Sequence, residues 1–75
     1  MLSFELIRDG KAIEIQCDDR GIDALIDVLG KLRGSGSHIH LLAPSHGGGS
    51  SAALSDMTPY GQKAIAEVII SHGGD

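Results

Sequence analysis

The dipeptide Asp9-Gly10 is the feature that most constrains the fold, because it separates two short segments in which apolar and polar residues alternate. Asp-Gly favours a two-residue β-hairpin turn, since that turn needs a left-handed backbone that Gly and Asp tolerate best. We therefore predict an antiparallel hairpin with strands at about 2–8 and 11–16.

The register of this hairpin follows from the turn and separates its two faces. One face is predicted to carry four large apolar side chains: Phe4, Leu6, Ile13 and Ile15. On the other face Glu5 lies opposite Glu14, which costs stability unless a cation, a basic side chain or a partner lies nearby. The apolar face is expected to need a cover.

A helix is predicted at about 19–33 as that cover. Asp18 and Asp19 suit its start, and Gly34 can supply a left-handed stop. Five apolar residues fall on one predicted stripe: Ile22, Leu25, Ile26, Leu29 and Leu32. We expect this stripe to pack on the apolar face of the hairpin.

Acidic residues follow one another along the same helix. Asp19, Asp23 and Asp27 are spaced four residues apart, so they form a row on one side of the helix. Such a row is typical of a solvated surface, and it also suits the docking of a basic partner.

The rest of the chain predicts two more strands, at about 38–42 and 63–71, joined by a Gly/Ser-rich loop over 43–62. The whole chain, 1–75, is then a single small α+β domain of the order ββαββ. One amphipathic helix packs on one face of a mainly antiparallel sheet in this prediction.

Composition and sequence pattern argue against several kinds of protein. The net charge is −4 and no Lys/Arg cluster is present, which disfavours direct binding of nucleic acid. Neither a signal sequence nor a membrane-spanning stretch is evident. A lone cysteine, Cys17, rules out an internal disulfide. We expect a cytoplasmic protein.

Three of the four histidines lie in the third strand and the loop after it. His38 and His40 are expected on one face of the strand, because side chains alternate between faces, and His46 follows shortly after. This pattern is compatible with a metal site, to which Glu5 or Glu14 would add a carboxylate. The same residues are also compatible with a protein-binding surface.

Catalytic motifs are not evident, and we predict neither an enzyme nor a cofactor. The glycine run that includes Gly47 and Gly48 lacks the lysine and the spacing of a phosphate-binding loop. Cys17 and Ser45 have no recognisable nucleophile motif around them, and Cys17 is expected to act as a small apolar residue.

A binding surface is the alternative that the residues favour, because one helix leaves the second face of a sheet uncovered. That bare face would carry polar residues from every strand: Glu5, Glu14, His38, His40 and Glu67, with Ile7 and Ala12 between them. Its mixed polar character suits recognition of another protein better than catalysis.

The order of these features resembles the immunity protein 32 family of bacterial polymorphic toxin systems. The resemblance rests on a Glu/Ile-rich hairpin, an acidic helix start and the strand His38-Ile39-His40-Leu41. Pro44-Ser45-His46-Gly47-Gly48 and the pair Leu54-Ser55 then follow. The expanded glycine/serine/alanine stretch 49–53 and the tail 72–75 depart from the family pattern.

The resemblance implies a cytoplasmic antitoxin that binds and neutralises a cognate toxin and has no catalytic residues. The partner-binding residues would come from the histidine strand and its loop, from the acidic row and from the hairpin: His38, His40, His46, Gly47, Gly48, Asp19, Asp23, Asp27, Glu5 and Glu14. Two alternatives stay open. One is a small metal-binding protein that uses His38, His40 and His46, and the other is a homodimer that assembles through the histidine face or a free edge strand.

Overall fold

A computed structural model describes residues 1–34, 37–47 and 53–73. Its four strands are β1 (Leu2–Ile7), β2 (Ala12–Cys17), β3 (His38–Leu42) and β4 (Glu67–Ser71). One helix, α1 (Asp19–Leu32), follows β2, and a 3-10 turn (Pro44–His46) follows β3. The predicted α+β class and the ββαββ order are confirmed, whereas Gly48 and the rest of 48–52 lie outside the described residues.

The first hairpin has the predicted register, with Phe4 opposite Ile15 and Glu5 opposite Glu14. Its turn is wider than predicted, because pairing of the strands ends at Ile7 and Ala12. Two overlapping turns occupy the four residues between them, closed by bonds from Gly10 N–H to Ile7 O and from Lys11 N–H to Arg8 O, each 3.1 Å long. Three successive residues have positive φ angles: Arg8, Asp9 and Gly10.

The strands form two antiparallel pairs, β1–β2 and β3–β4, rather than one continuous ladder. The segment before β4 joins these pairs by backbone hydrogen bonds. Ser55 and Ile65 donate their N–H groups to the carbonyl oxygens of Leu2 and Phe4, both at 2.8 Å. Ala66 accepts from Ala43 N–H at 2.9 Å. β1 therefore lies between β2 and this connecting segment.

The core draws on residues that are distant in sequence. Its buried apolar residues are Leu2, Phe4, Leu41, Ala43 and Leu54. Part of the predicted hairpin face is missing from it, since Leu6, Ile13 and Ile15 remain 57%, 59% and 47% exposed. Only the end of the hairpin that carries Leu2 and Phe4 is covered.

The helix is turned relative to the prediction, which placed Ile22, Ile26 and Leu29 against the hairpin. These three side chains are 44%, 63% and 47% exposed, whereas Leu32 is buried as predicted. The physical reason lies at Gly21. A Cβ atom built there would lie 1.9 Å from the carbonyl oxygen of Met1 and 2.9 Å from Cys17 Cβ. The helix thus approaches Met1 and Cys17 most closely at Gly21, and the neighbouring isoleucines stay exposed outside the core.

Both ends of α1 are formed as expected. The Asp18 carboxylate accepts a hydrogen bond from Gly21 N–H at 2.9 Å and contacts the Met1 ammonium group at 2.5 Å. These contacts, the ammonium first and then the Gly21 N–H, lower the pKa of Asp18. Beyond the helix, Gly34 has a φ angle of 77°, which is the predicted left-handed stop.

The last strand begins later than predicted, at Glu67 rather than near residue 63. Lys63 forms only an isolated bridge with Met57. Between them Thr58 is buried, and its hydroxyl accepts hydrogen bonds from the N–H groups of Tyr60 and Gln62 at 3.3 and 3.2 Å. This turn competes with strand formation. No helix in the described ranges is long and apolar enough to cross a membrane.

Candidate functional site

The histidines of β3 lie on the same side of the strand, as their alternation predicts. The rings of His38 and His40 meet edge to face with their centroids 5.0 Å apart. Both residues are exposed, whereas Leu41 on the opposite side is buried in the core. The strand therefore presents a histidine face to solvent.

Glu67 on β4 joins this face. β3 and β4 pair with His40 opposite Ile69 and Leu42 opposite Glu67, so Glu67 is a diagonal neighbour of His40. Its Oε2 atom lies 2.8 Å from Nδ1 of His40, and its Oε1 atom lies 3.6 Å from Nε2 of His46. We call His38, His40, His46 and Glu67 the histidine cluster.

The 3-10 turn places His46 in the cluster. Pro44 starts the turn, and His46 N–H donates to Ala43 O at 2.9 Å. Asp56 holds the turn from outside, since its carboxylate accepts from Ser45 N–H at 3.1 Å and from the Ser45 hydroxyl. Gly47 closes the turn with a φ angle of 85°, a conformation that favours glycine.

The electrostatics of the cluster centre on the Glu67 carboxylate. The hydrogen bond with His40 lowers the pKa of Glu67, and the charges of His40 and His46 lower it further, while desolvation acts in the opposite direction. Glu67 is thus an anionic centre between two imidazoles. The sequence alone named it only as one residue of a bare sheet face, because its link to His40 depends on how β3 and β4 pair.

The hairpin glutamates do not join the cluster. Glu5 accepts a hydrogen bond at 3.0 Å from the side-chain amide of Gln16, whose oxygen accepts one at 2.7 Å from the buried Ser3 hydroxyl. This chain of hydrogen bonds gives the Glu5 carboxylate a partner within its own hairpin. Among the described residues, no group of three or more histidines, cysteines or acidic residues has the geometry to hold a metal ion.

A second candidate surface runs along α1. The three aspartates of the predicted row are all exposed, and only Asp27 forms an ion pair in the described ranges, with Lys31 at 3.1 Å. The exposed Ile22, Ile26 and Leu29 run beside this row, because residues three and four apart are neighbours on a helix. The outer helix surface is defined by six residues: Asp19, Asp23, Asp27, Ile22, Ile26 and Leu29.

Cys17, expected to be a small apolar residue at a strand end, is a free and exposed cysteine. It lies at the end of β2, where the chain turns into the helix.

Comparison with protein-family models, with curated proteins and with solved structures found no match to this chain.

Proposed function

We propose that this chain is a non-enzymatic protein-binding module that contacts its partner through the outer helix surface. The observation that carries the proposal is the exposure of Ile22, Ile26 and Leu29 beside the acidic row. Three neighbouring large aliphatic side chains that the fold leaves open are typical of an interaction site rather than of a solvated helix. A charged row beside them supplies selectivity for the partner.

The apolar part of this surface is large enough to anchor a partner. Three half-exposed aliphatic side chains present roughly 300 Å² of apolar surface, which is the size of a functional patch on a small protein. Most of the binding energy of an interface comes from a few such central side chains, and a polar rim excludes water around them. Ile26, which is 63% exposed, is the most open of the three.

The charge of the chain favours a basic partner. Asp19 and Asp23 have no ion-pair partner among the described residues, and the net charge of −4 attracts a cationic protein at long range. A toxin that acts on nucleic acid is such a protein, since it needs a basic surface for its substrate. Together with the resemblance to immunity proteins, this charge supports a narrower proposal, an antitoxin that occludes its cognate toxin.

The proposal is tested by calorimetric titration of this chain, at low and high salt, with the protein product of each gene that neighbours its own. Asp23→Lys should weaken binding by about tenfold or more, and Ile26→Asp should abolish it. Glu14→Lys is the matched control, because it makes the same change in net charge at an exposed position of the hairpin. The proposal would be contradicted if the affinity did not change with salt concentration and if Asp23→Lys and Glu14→Lys bound equally tightly.

A further inference from the structure

The outer edge of β2 carries backbone groups that have no hydrogen-bond partner within residues 1–34, 37–47 and 53–73. Leu2 O and Phe4 O accept from Ser55 and Ile65, so both carbonyls point away from β2. In an antiparallel ladder the N–H and C=O of one residue point to the same side. Cys17 lies opposite Leu2 and Ile15 lies opposite Phe4, so the backbone N–H and C=O groups of Cys17 and Ile15 also point away from β1. Ile13, two residues before Ile15, points the same way, and these three residues form the outer edge of β2. No strand lies beyond this edge in the described ranges.

The same edge displays apolar side chains. Ile13 and Ile15 are 59% and 47% exposed, and Leu6 beside them on β1 is 57% exposed. Natural edge strands are protected by charged side chains, lysine above all, by proline, by a bulge or by a covering element. β2 contains neither proline nor lysine, its single charged side chain is Glu14, and its register with β1 is continuous over all six residues. It is an open template for another strand.

We propose that β2 pairs antiparallel with β2 of a second copy of this chain, across a two-fold axis at Ile15. This proposal goes beyond the proposed function, which uses the outer helix surface for a different protein. The two hairpins would form one four-stranded sheet, in which Ile15 lies opposite Ile15 of the second copy and Ile13 lies opposite Cys17. These are the residues whose backbone groups are free.

Charge selects this register. With the axis at Ile15, Glu14 lies opposite Gln16 of the second copy. With the axis one residue earlier, Glu14 would lie opposite itself, and like charges in that position are destabilising. The edge is therefore self-complementary in one register.

The area fits a weak dimer. Leu6, Ile13 and Ile15 expose roughly 300 Å² of apolar surface per copy, and two copies with their strand edges would bury on the order of 1,000 Å² in total. This value is at the lower limit for a specific interface. Up to six backbone hydrogen bonds add to it, so we expect dimerisation in the micromolar range or weaker.

Disulfide trapping tests the register. Ile15→Cys and Glu14→Cys are each made in a Cys17→Ser background, and both proteins are oxidised at a concentration where the unmodified chain is dimeric by sedimentation. Ile15→Cys should form a covalent dimer in far higher yield than Glu14→Cys, because only position 15 lies on the axis. A chain that stays monomeric up to millimolar concentration, or equal trapping at both positions, would overturn the proposal.

Amide hydrogen exchange gives an independent measurement on the unmodified chain. Protection of Ile13, Ile15 and Cys17 should rise with protein concentration, while Gln16, which bonds within its own hairpin, should not change. Ile13→Lys should abolish the dimer, whereas Ile69→Lys, at a site on β4 that is 54% exposed, should leave it intact. The proposal would be overturned if the exchange protection of Ile13 and Ile15 did not depend on protein concentration, or if Ile13→Lys still formed the dimer.

Discussion

Replacing Gly21 with alanine should destabilise this protein although it improves helix propensity. In an open helix the change from Gly to Ala stabilises by about 1 kcal/mol. At Gly21 the new Cβ atom would lie 1.9 Å from Met1 O, which belongs to backbone and has no rotamer to change. Moving Met1 would also strain its hydrogen bond from Asp18 N–H, which is 3.2 Å long.

The magnitude follows from these opposed effects. Overpacking costs about 1–3 kcal/mol, and a clash with backbone belongs at the upper end of that range. After the gain in propensity, Gly21→Ala should lose about 2 kcal/mol of unfolding free energy. For a chain of this size that loss lowers Tm by about 10 °C.

Gly30 supplies the matched control in the same helix. A Cβ atom there would meet nothing within 4 Å, so Gly30→Ala should gain about 1 kcal/mol. Both variants are compared with the parent by urea and thermal unfolding, followed by circular dichroism. If Gly21→Ala proves as stable as Gly30→Ala, the close approach of α1 to Met1 does not exist and the reasoning fails.

Two further predictions concern the buried end of the hairpin and the carboxylate of Glu67 in the histidine cluster. Phe4→Ala should lower the free energy of unfolding by about 3–5 kcal/mol, because Phe4 is buried. Leu6→Ala, two residues along the same face of β1 but 57% exposed, should lower it by less than about 1 kcal/mol. Equal losses in urea titrations would contradict the burial of only one end of the hairpin. Because His40 lowers the pKa of Glu67 below its usual value of 4.5, the stabilisation from this contact is present above pH 4.5 and is lost as the pH falls through the lowered pKa. The stability of the parent should therefore exceed that of Glu67→Gln just above pH 4.5, and the difference should shrink at lower pH. A difference that does not change as the pH falls below 4.5 would refute the contact of His40 with the Glu67 carboxylate.

Local signals in the sequence were sufficient for the elements and for the first register. Asp9-Gly10 set the pairing of Phe4 with Ile15 even though the turn itself is wider. Asp18 capped the helix, and Pro44 marked the end of β3. These features depend on backbone conformation and on neighbours in sequence, so a pattern of a few residues is enough to predict them.

The candidate site was only half visible in the sequence. Alternation along β3 predicted that His38 and His40 share a face, and they do. The partner of His40 is Glu67, which lies far away in sequence and reaches it only through the pairing of β3 with β4. The predicted grouping of the histidines with Glu5 and Glu14 does not occur among the described contacts.

What the sequence by itself determined is therefore the set of elements, their order and the hairpin register. Only the tertiary structure decided which apolar residues are buried. The sequence contains more aliphatic residues on the hairpin and helix than one core can cover, and the close approach at Gly21 selects among them. It turns Ile22, Ile26 and Leu29 outward and leaves Ile13 and Ile15 open, because a helix can bury only the side that lies nearest the sheet.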